Sequence, residues 1–495
     1  MIEIERSQGA FEYDIQGLCK AFYPTEQIVF LPIGQKVTKK ETTLWLEVQM
    51  DSEGVFVKAG NQDGQWERQA KALKTDPRAY KNAVKQSVYQ LLVEITGRTL
   101  PWGTLTGVRP SKLAMERLEI GENKEQVYEY MKKQYFASDE KIELAYTVAK
   151  KEWDILNAID YTNGYSLYVG IPFCPSRCLY CSFTSYPMEQ FGKLVEQYLD
   201  ALYKEIAFAA GVKWKKKLTS IYIGGGTPTT LTAEQLRKLI STIKKSFPME
   251  YMKEFTVEAG RPDSIDMDKL KVLKEEGVTR ISINPQTMNQ KTLDHIGRKH
   301  TVEEVEQAFV MARKAGHDDI NMDLIVGLPG EGEAEIKETL RWVKKLNPDS
   351  LTVHSLVVKR AARLNLNMDE EEEFMTWNTD AMFAQAAAFA REQGYLPYYM
   401  YRQKNATGIR QDIRENVGYA KPGKESIYNI LIMEEKQSIL ALGAGASTKF
   451  LLPEEEKKIE RVENVKSIID YVERIDEMIA RKQHFLQEHG QELLE

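Results

Sequence analysis

Between residues 161 and 375, short apolar runs rich in β-branched residues alternate with longer segments that are apolar along one helical face. The short runs predict strands and the amphipathic segments predict helices. The predicted strands are 165–171, 220–223, 254–257, 280–283, 319–325 and 350–356. The predicted helices are 194–209, 233–246, 267–276, 302–315 and 333–346. Because strand–helix–strand crossovers are right-handed, this alternation predicts an α/β fold, an open (β/α)6 partial barrel with a curved parallel sheet.

The segments on either side of this alternation have other patterns. Residues 1–105 mix short strand-like runs with one long helical segment, which predicts an N-terminal α+β module. Its predicted elements are strands at 28–33, 43–50 and 54–59 and a helix at 79–96. Residues 106–160 have helical periodicity at 126–133 and 139–155, which predicts a helical linker. The predicted domains are therefore 1–105, 106–160, 161–375 and 376–495, and the last is expected to be a mostly helical C-terminal domain.

Composition and charge exclude several classes of protein. The 495 residues are 42% hydrophobic and 28% charged, which is ordinary for a globular chain. No apolar run approaches the ~18 residues of a membrane-spanning helix, and the first residues do not resemble a signal peptide. We therefore expect a cytoplasmic protein without a membrane span. The net charge of −6 argues against nucleic-acid binding.

Three of the four cysteines lie in one eight-residue window, as Cys174, Cys178 and Cys181. This spacing lets one loop wrap three thiolates around one inorganic centre, and iron–sulfur clusters are held by cysteine thiolates. Three ligands would leave one iron open to bind a small molecule. A zinc site with a distant histidine remains an alternative, although no second cysteine pair follows. A disulfide is disfavoured by the odd number of cysteines in the window and by the expected reducing compartment.

A glycine turn follows the next predicted strand. Gly224, Gly225 and Gly226 precede Thr227 and Pro228 directly after the apolar run 220–223. Three glycines let a backbone come close to a ligand and offer it N–H groups. Since ligands in such sheets bind at the carboxyl ends of the strands, the turn and the cysteine loop are expected to share one pocket.

Together these motifs resemble the radical S-adenosylmethionine (SAM) superfamily and, within it, the family of oxygen-independent coproporphyrinogen III oxidases. The long segment before the cysteines is similar to the HemZ-type branch of that family. Further stretches match family motifs in order over residues 161–450. They are 255–259, 277–286, 297–300, 321–330, 419–429 and 442–447.

The resemblance implies the cofactors and the residues that hold them. Cys174, Cys178 and Cys181 would ligate a 4Fe–4S cluster whose open iron binds SAM through its amino and carboxylate groups. The implied SAM contacts are packing by Tyr168 and Tyr180, backbone contacts from Gly225, Gly226 and Thr227, polar contacts from Glu258, Gln286, Arg298 and Asp323, and a main-chain contact from Val357 to the adenine.

The resemblance also implies the reaction and the partners. A 5′-deoxyadenosyl radical would start the oxidative decarboxylation of two propionate side chains of coproporphyrinogen III, giving protoporphyrinogen IX. The expected partners are a tetrapyrrole substrate and a reduced flavodoxin or ferredoxin as electron donor. A tetracarboxylate substrate needs cationic anchors; the candidates are Lys359, Arg360, Arg363, Arg402, Arg410 and Arg414.

Three positions depart from the family pattern. Phe183 stands where the oxidases have a further cysteine, and Gly170 stands where they have a histidine. Phe183 instead resembles a sister group of haem-binding chaperones, but Tyr428 replaces the histidine of that group's haem motif. Tyrosine can also ligate haem iron. Three functions therefore remain open, namely the oxidase, a haem chaperone that keeps the cluster, and another radical tetrapyrrole enzyme.

Overall fold

The computed structural model describes residues 1–38, 42–107, 109–212, 214–356, 380–402, 415–452 and 458–493. The chain forms two compact units. The first comprises Met1–Lys150 and Tyr401–Arg414, and the second comprises Lys151–Met400 and Glu415–Glu495.

In the described part of the first unit, five strands form one sheet in the order β2-β1-β3-β4-β5. The strands are β1 (Ile2–Arg6), β2 (Ile28–Phe30), β3 (Leu44–Met50), β4 (Gly54–Gly60) and β5 (Gln65–Lys71). The helices before residue 160 are α1 (Glu12–Phe22), α2 (Pro77–Thr96), α3 (Ser111–Glu119), α4 (Lys124–Tyr135) and α5 (Asp139–Ala158). The sequence patterns had predicted β2, β3, β4, α2, α4 and α5, whereas β1, β5, α1 and α3 were not predicted. Cys19 is fully buried in this unit's core, so it is a packing residue.

The second unit contains the predicted partial barrel. Its central strands β6, β9, β10, β11, β12 and β13 pair in parallel in that order, and all six lie where the sequence placed them. The strands from residue 164 to 355 are β6 (Gly164–Ile171), β7 (Phe173–Cys174), β8 (Tyr186–Pro187), β9 (Lys217–Gly225), β10 (Glu254–Glu258), β11 (Arg280–Ser282), β12 (Ile320–Val326) and β13 (Ser350–Ser355). The α/β partial barrel is confirmed.

Helices connect the barrel strands, and local capping explains where several of them begin. Thr232 accepts a hydrogen bond from the backbone N–H of Gln235, whose side chain accepts one from the Thr232 N–H. This reciprocal pair of hydrogen bonds caps the start of the 14-residue helix that begins at Ala233. The helices of this region are α6 (Met188–Phe191), α7 (Val195–Gly211), α8 (Ala233–Ser246), α9 (Met267–Glu275), α10 (Gln290–His295), α11 (Val302–Lys314) and α12 (Glu333–Leu346).

The C-terminal region contributes strands as well as helices. Its strands are β14 (Leu396–Arg402), β15 (Glu415–Ala420), β16 (Ser438–Leu442), β17 (Ser447–Leu451) and β18 (Ile459–Glu463). Its helices are α13 (Asp380–Glu392), α14 (Ile427–Glu434), α15 (Ile468–Glu473) and α16 (Ile475–Leu493). Among these strands only β14 has a sequence pattern that predicts a strand, the apolar and aromatic run 396–402. The others are short and flank the sheet instead of alternating with long helices.

The C-terminal strands extend the barrel sheet on both sides. Strand β16 pairs in parallel with β6, with Ser438 opposite Tyr165, and β15 pairs antiparallel with β13. In the described residues the sheet order is β14-β15-β13-β12-β11-β10-β9-β6-β16-β17-β18. No helix within the described ranges is long and apolar enough to cross a membrane.

Candidate cluster and cofactor site

The three clustered cysteines follow the carboxyl end of β6, with Cys174 on the short strand β7 and Cys178 and Cys181 in the segment after it. None of them forms a disulfide. Thr227 donates a hydrogen bond from its hydroxyl to the Cys174 Sγ over 3.4 Å and from its backbone N–H to the Phe173 carbonyl over 2.7 Å. Further along the loop, Ser176 donates to the Gly297 carbonyl over 3.2 Å. The cysteine loop is therefore fixed to the glycine turn on one side and to the 296–298 turn on the other.

The three thiols have different electrostatic surroundings. Burial raises the pKa of Cys174 to about 11 and also raises the pKa of Cys181. Burial would raise the pKa of Cys178 too, but the positive charges of Arg298 and Arg261 outweigh it and lower that pKa. Two arginines thus stabilise negative charge at the middle cysteine of the loop.

Within the described residues, no group of three or more His, Cys, Asp or Glu side chains is placed to hold one metal ion. A zinc ion needs all its sulfur ligands at about 2.3 Å from one centre. In a four-iron cluster each thiolate binds a different iron atom. The single-zinc alternative therefore finds no ligand set in the described part of the chain.

The glycine turn presses against the end of β6. Gly225 has a φ of +105°, a conformation that side chains strongly disfavour. A Cβ atom on Gly226 would lie 2.6 Å from the Phe173 carbonyl oxygen and 2.8 Å from that of Ile171. The N–H of Gly226 donates to the same Ile171 oxygen over 2.8 Å. Glycine is thus required here for the close approach of two backbones.

Glu258 lies at the end of β10, beside this turn. The Tyr222 hydroxyl donates a 2.5 Å hydrogen bond to Glu258 Oε1. Burial, together with the negative charge of Asp323, raises the pKa of Glu258 to about 7. A half-buried carboxyl group of this kind can accept a cationic ammonium group when it is ionised.

Gln286 and Asp323 lie on neighbouring segments. The Gln286 N–H donates to the Asp323 carbonyl over 2.9 Å, and Gln286 has a positive φ of 69°. Its side-chain Oε1 is buried without a hydrogen-bond partner. Burial would raise the pKa of Asp323, but the nearby imidazole of His354 and a 2.7 Å hydrogen bond from Asn321 lower it. This pair offers an unsatisfied amide oxygen and a carboxylate to a ligand.

Arg298 is held by backbone carbonyl groups beside the cysteine loop. Its guanidinium is 4% exposed, and its terminal nitrogens donate to the carbonyl oxygens of Asn284, Pro285 and Gly260. Only Nε is buried without a partner. Arg298 therefore ties together the loops that follow β10 and β11, and one N–H remains for a ligand.

The tyrosines form an aromatic stack along the barrel wall. The rings of Tyr168 and Tyr222 lie 6.2 Å apart, and Tyr222 stacks on Tyr428 at 4.5 Å. Tyr180 packs separately against the apolar cluster of Ile296, Ile325 and Leu328. Tyr168 therefore lies beside the glycine turn, and Tyr180 belongs to the cysteine loop itself.

Tyr428 is held in place by a buried carboxylate. Glu254 accepts hydrogen bonds from the Ser426 hydroxyl over 2.9 Å and from the Ile427 N–H over 2.5 Å, at the start of α14. Tyr428 is only 5% exposed, and its ring stacks on Tyr222.

The structure brings together all the predicted cluster and SAM residues that it describes, and Val357 lies outside the described residues. Phe183 is 68% exposed, and the carbonyl of Gly170 accepts a 2.6 Å hydrogen bond from Tyr198. Among the cationic candidates, Arg402 donates to the Leu105 carbonyl over 2.6 Å in the first unit. The others lie outside the described residues, namely Lys359, Arg360, Arg363, Arg410 and Arg414.

Sequence reasoning missed three residues of this site. Tyr222 lies within the glycine-turn motif, two residues before Gly224, and its inward position follows from strand alternation. His354 lies on β13 with its Nε2 3.9 Å from Asp323 Oδ2. Arg261 contacts the cysteine loop from the loop after β10. No local pattern marks the last two, because both depend on tertiary contacts.

These residues fit an iron–sulfur cluster with SAM beside it. The donor set has three unbridged thiols, the Gln286 Oε1 is an unsatisfied buried acceptor, and the glycine turn leaves no room for side chains at its closest approach. The site also combines carboxylates with an arginine, which suits a ligand carrying both an ammonium and a carboxylate group.

Comparisons with known proteins agree with this chemistry. The model of the radical SAM superfamily matches residues 168–343. The chain is 42% identical over 417 residues to the oxygen-independent coproporphyrinogen-III oxidase-like protein HemZ of Bacillus subtilis. The aligned region covers 82% of this chain and 81% of that protein. It is 34% identical over 292 residues to the heme chaperone HemW of the same organism, covering 57% of this chain and 70% of that protein.

One solved structure supports the fold. The coproporphyrinogen III oxidase HemN of Escherichia coli, a radical SAM enzyme, matches with a TM-score of 0.51 at 23% identity. The match covers 66% of this chain and 73% of that one. At this identity the likeness concerns the fold alone.

Proposed function

Because the chain belongs to the radical SAM superfamily, in the family of the oxygen-independent coproporphyrinogen III oxidase-like proteins, we propose that it decarboxylates coproporphyrinogen III oxidatively to protoporphyrinogen IX without oxygen. The observation that carries this proposal is the joining of the cysteine loop, the glycine turn and the polar strand-end residues at one edge of the barrel. Its cofactors are a 4Fe–4S cluster and SAM. When bound, they supply a radical that takes hydrogen from a carbon atom.

In this proposal each group of residues has one task. Cys174, Cys178 and Cys181 hold the cluster. Gly225, Gly226 and Thr227 present backbone groups to the methionine part of SAM. The polar and aromatic contacts come from Glu258, Gln286, Arg298, Asp323, Tyr168 and Tyr180, and Val357 contacts the adenine.

The protein's own contribution is binding, orientation and exclusion of water. Ionised Glu258 orients an ammonium group, and the Gln286 amide oxygen, which has no other partner, accepts a hydrogen bond. Arg298 keeps the loops after β10 and β11 in register around them. The half-buried Tyr168 and Tyr222 rings line the barrel wall beside Glu258.

Partners and location belong to the same proposal. The electron donor is a reduced flavodoxin or ferredoxin, the substrate is a tetrapyrrole, and the protein works in the cytoplasm without binding nucleic acid.

A haem chaperone is the second candidate, because a heme chaperone is among the relatives and Phe183 is exposed beside Cys181. The burial of Tyr428 opposes it, because that side chain stands where the chaperone pattern has its haem ligand. A third candidate is another radical enzyme acting on tetrapyrroles.

The test is incubation of the reconstituted, reduced protein with SAM and coproporphyrinogen III under strict anaerobiosis. We expect protoporphyrinogen IX and 5′-deoxyadenosine over more than one turnover. Deoxyadenosine without decarboxylated product would favour a different tetrapyrrole substrate. Stoichiometric haem binding with neither product would favour the chaperone, and Tyr428→Phe would then show whether this tyrosine is the ligand.

A further inference from the structure

Arg261 contacts the cysteine loop, although the family resemblance assigns it no role. It follows β10 by three residues and is 3% exposed. Its Nη1 donates hydrogen bonds to the Ser176 carbonyl over 3.2 Å and to the Cys178 Sγ over 3.6 Å. Its Nη2 donates to the Ser176 hydroxyl over 3.1 Å. A buried cation therefore lies against the sulfur of the middle cysteine.

Asp263 holds this guanidinium in a fixed plane. Arg261 Nε donates to Asp263 Oδ1 over 2.9 Å, and Nη2 donates to Oδ2 over 2.6 Å. Such two-point pairs fix direction as well as distance. The Arg261 N–H that faces Cys178 is thus oriented by the carboxylate on the other side.

The other groups around the pair are Arg298 and His300. His300 Nδ1 lies 4.0 Å from Asp263 Oδ1. Burial, together with the charges of Arg298 and Arg261, lowers the pKa of His300 to about 3, so it is neutral at physiological pH. The fixed charges beside Cys178 are therefore those of Arg261, Arg298 and Asp263.

A charge in this position acts on the electron affinity of a cluster. The potentials of iron–sulfur clusters depend on net charge, on hydrogen bonds to the sulfurs and on solvent exposure. Reduction adds one negative charge, which a buried cation and an N–H···S hydrogen bond stabilise. A neighbouring carboxylate has the opposite effect. Solvent screens the charge of Arg261 only weakly because its guanidinium is buried, and it screens the charge of Asp263 more because that residue is exposed.

We propose that Arg261 is a positioning residue that raises the reduction potential of the cluster through its contact with Cys178, and that Asp263 opposes and limits this effect. The inference rests on the proposed role of Cys178 as a cluster ligand. It goes beyond the proposed function, because it assigns to two residues outside the SAM site the control of how easily the cluster accepts its electron.

The test measures the midpoint potential of the reconstituted holoprotein without SAM, by a redox titration followed by electron paramagnetic resonance. The variants are Arg261→Gln, Arg261→Lys and Asp263→Asn, each with iron and sulfide determined first. The matched control is Arg237→Gln, because Arg237 is an exposed arginine that pairs with Glu275 and Glu276.

We expect a more negative potential in Arg261→Gln, a smaller change in Arg261→Lys, a more positive potential in Asp263→Asn and no change in the control. Loss of the cluster from Arg261→Gln, with a raised potential in Asp263→Asn, would also support the proposal. Unchanged potentials in Arg261→Gln and Asp263→Asn, with the cluster present in both, would overturn the proposal. Loss of iron from both variants would also overturn it, because the pair would then serve to hold the cysteine loop in place.

These readings are independent of the decarboxylation assay. If the wild-type protein binds a cluster but releases no protoporphyrinogen IX, opposite shifts in the two variants would still support tuning by Arg261 and Asp263. A wild-type protein that decarboxylates its substrate, with potentials unmoved in both variants, would refute the tuning and leave the proposed function intact.

Discussion

Glu258 carries a charge that depends on where the fold places it. Burial and the nearby Asp323 raise its pKa to about 7, whereas the ordinary value is 4.5. Between these two pH values the folded protein holds a proton at Glu258 that the unfolded chain has released. The stability that this proton provides is present below pH 4.5 and is lost as the pH rises through 7.

Glu258→Gln should therefore remove this pH dependence. We expect the cofactor-free variant to gain stability relative to the wild type as the pH rises from 5 to 8, by up to about 3 kcal/mol. Calorimetric melting temperatures at each pH measure the effect, with the exposed Glu250→Gln as the matched control. Parallel curves for the wild type and Glu258→Gln would contradict the assignment.

Arg298 illustrates what the fold adds to a role that a motif implies. The resemblance implies that Arg298 makes a polar contact to SAM. The structure commits its terminal nitrogens to three backbone carbonyls and leaves Nε for a ligand. The side chain thus positions two loops, which a sequence motif does not reveal.

At the scale of elements, the site depends on the close contact between the glycine turn and the end of β6. The turn follows β9, which lies beside β6 in the sheet, and Gly170 is opposite Gly224 in the register. The carbonyls of Ile171 and Phe173 accept hydrogen bonds from Gly226 and Thr227. Any atom inserted between these segments moves the cysteine loop.

Gly226→Ala inserts such an atom, because its Cβ would lie 2.6 Å from the Phe173 oxygen. We expect a loss of stability of about 1–3 kcal/mol from overpacking and at least about a tenfold loss of SAM affinity, since 1.4 kcal/mol corresponds to a factor of ten. Equilibrium binding of SAM to the reconstituted protein and the melting temperature measure the two effects.

The matched control for this variant is Gly211→Ala, where a Cβ meets nothing within 4 Å. Unchanged SAM affinity in Gly226→Ala, at full cluster content, would contradict a role of the turn in binding SAM.

At the scale of the second unit, the C-terminal helix is tied to the barrel by a buried charge. Lys482 on α16 is 1% exposed and donates to Glu205 Oε1 on α7 over 2.8 Å. Glu205 also accepts from the Gly443 N–H over 2.8 Å and from Tyr471 over 2.6 Å. Since Gly443 directly follows β16, which pairs with β6, this network supports the strand that leads into the cysteine loop.

Lys482→Met should leave the Glu205 carboxylate buried without its cation. We expect a cost of about 3–5 kcal/mol, and partial recovery when Glu205→Gln is added, because the uncompensated charge is then removed. Melting temperatures of the single and double variants measure this. Lys345→Met, which breaks an exposed pair with Glu306, should cost less than about 1 kcal/mol. Equal effects of the two lysine substitutions would exclude a special role for the buried network.

The sequence alone predicted the barrel and most of the residues that lie together at the carboxyl ends of its strands. Strand and helix periodicity is local, so the six barrel strands could be located from the chain without its fold. The cysteine spacing and the glycine turn are also local, and the topology of a parallel sheet requires their strand ends to meet. Strands β15 and β16 escaped prediction because their strand character depends on pairing with β13 and β6 at the sides of the sheet.

Only the tertiary structure decided which side chains meet within that site. Arg261 reaches Cys178 across 83 positions of sequence, and Lys482 reaches Glu205 across 277. The raised pKa of Glu258 and the burial of Tyr428 arise from neighbours on other strands and helices. Such contacts depend on how the elements pack, and distance, burial and charge in three dimensions have no signature in the local order of residues.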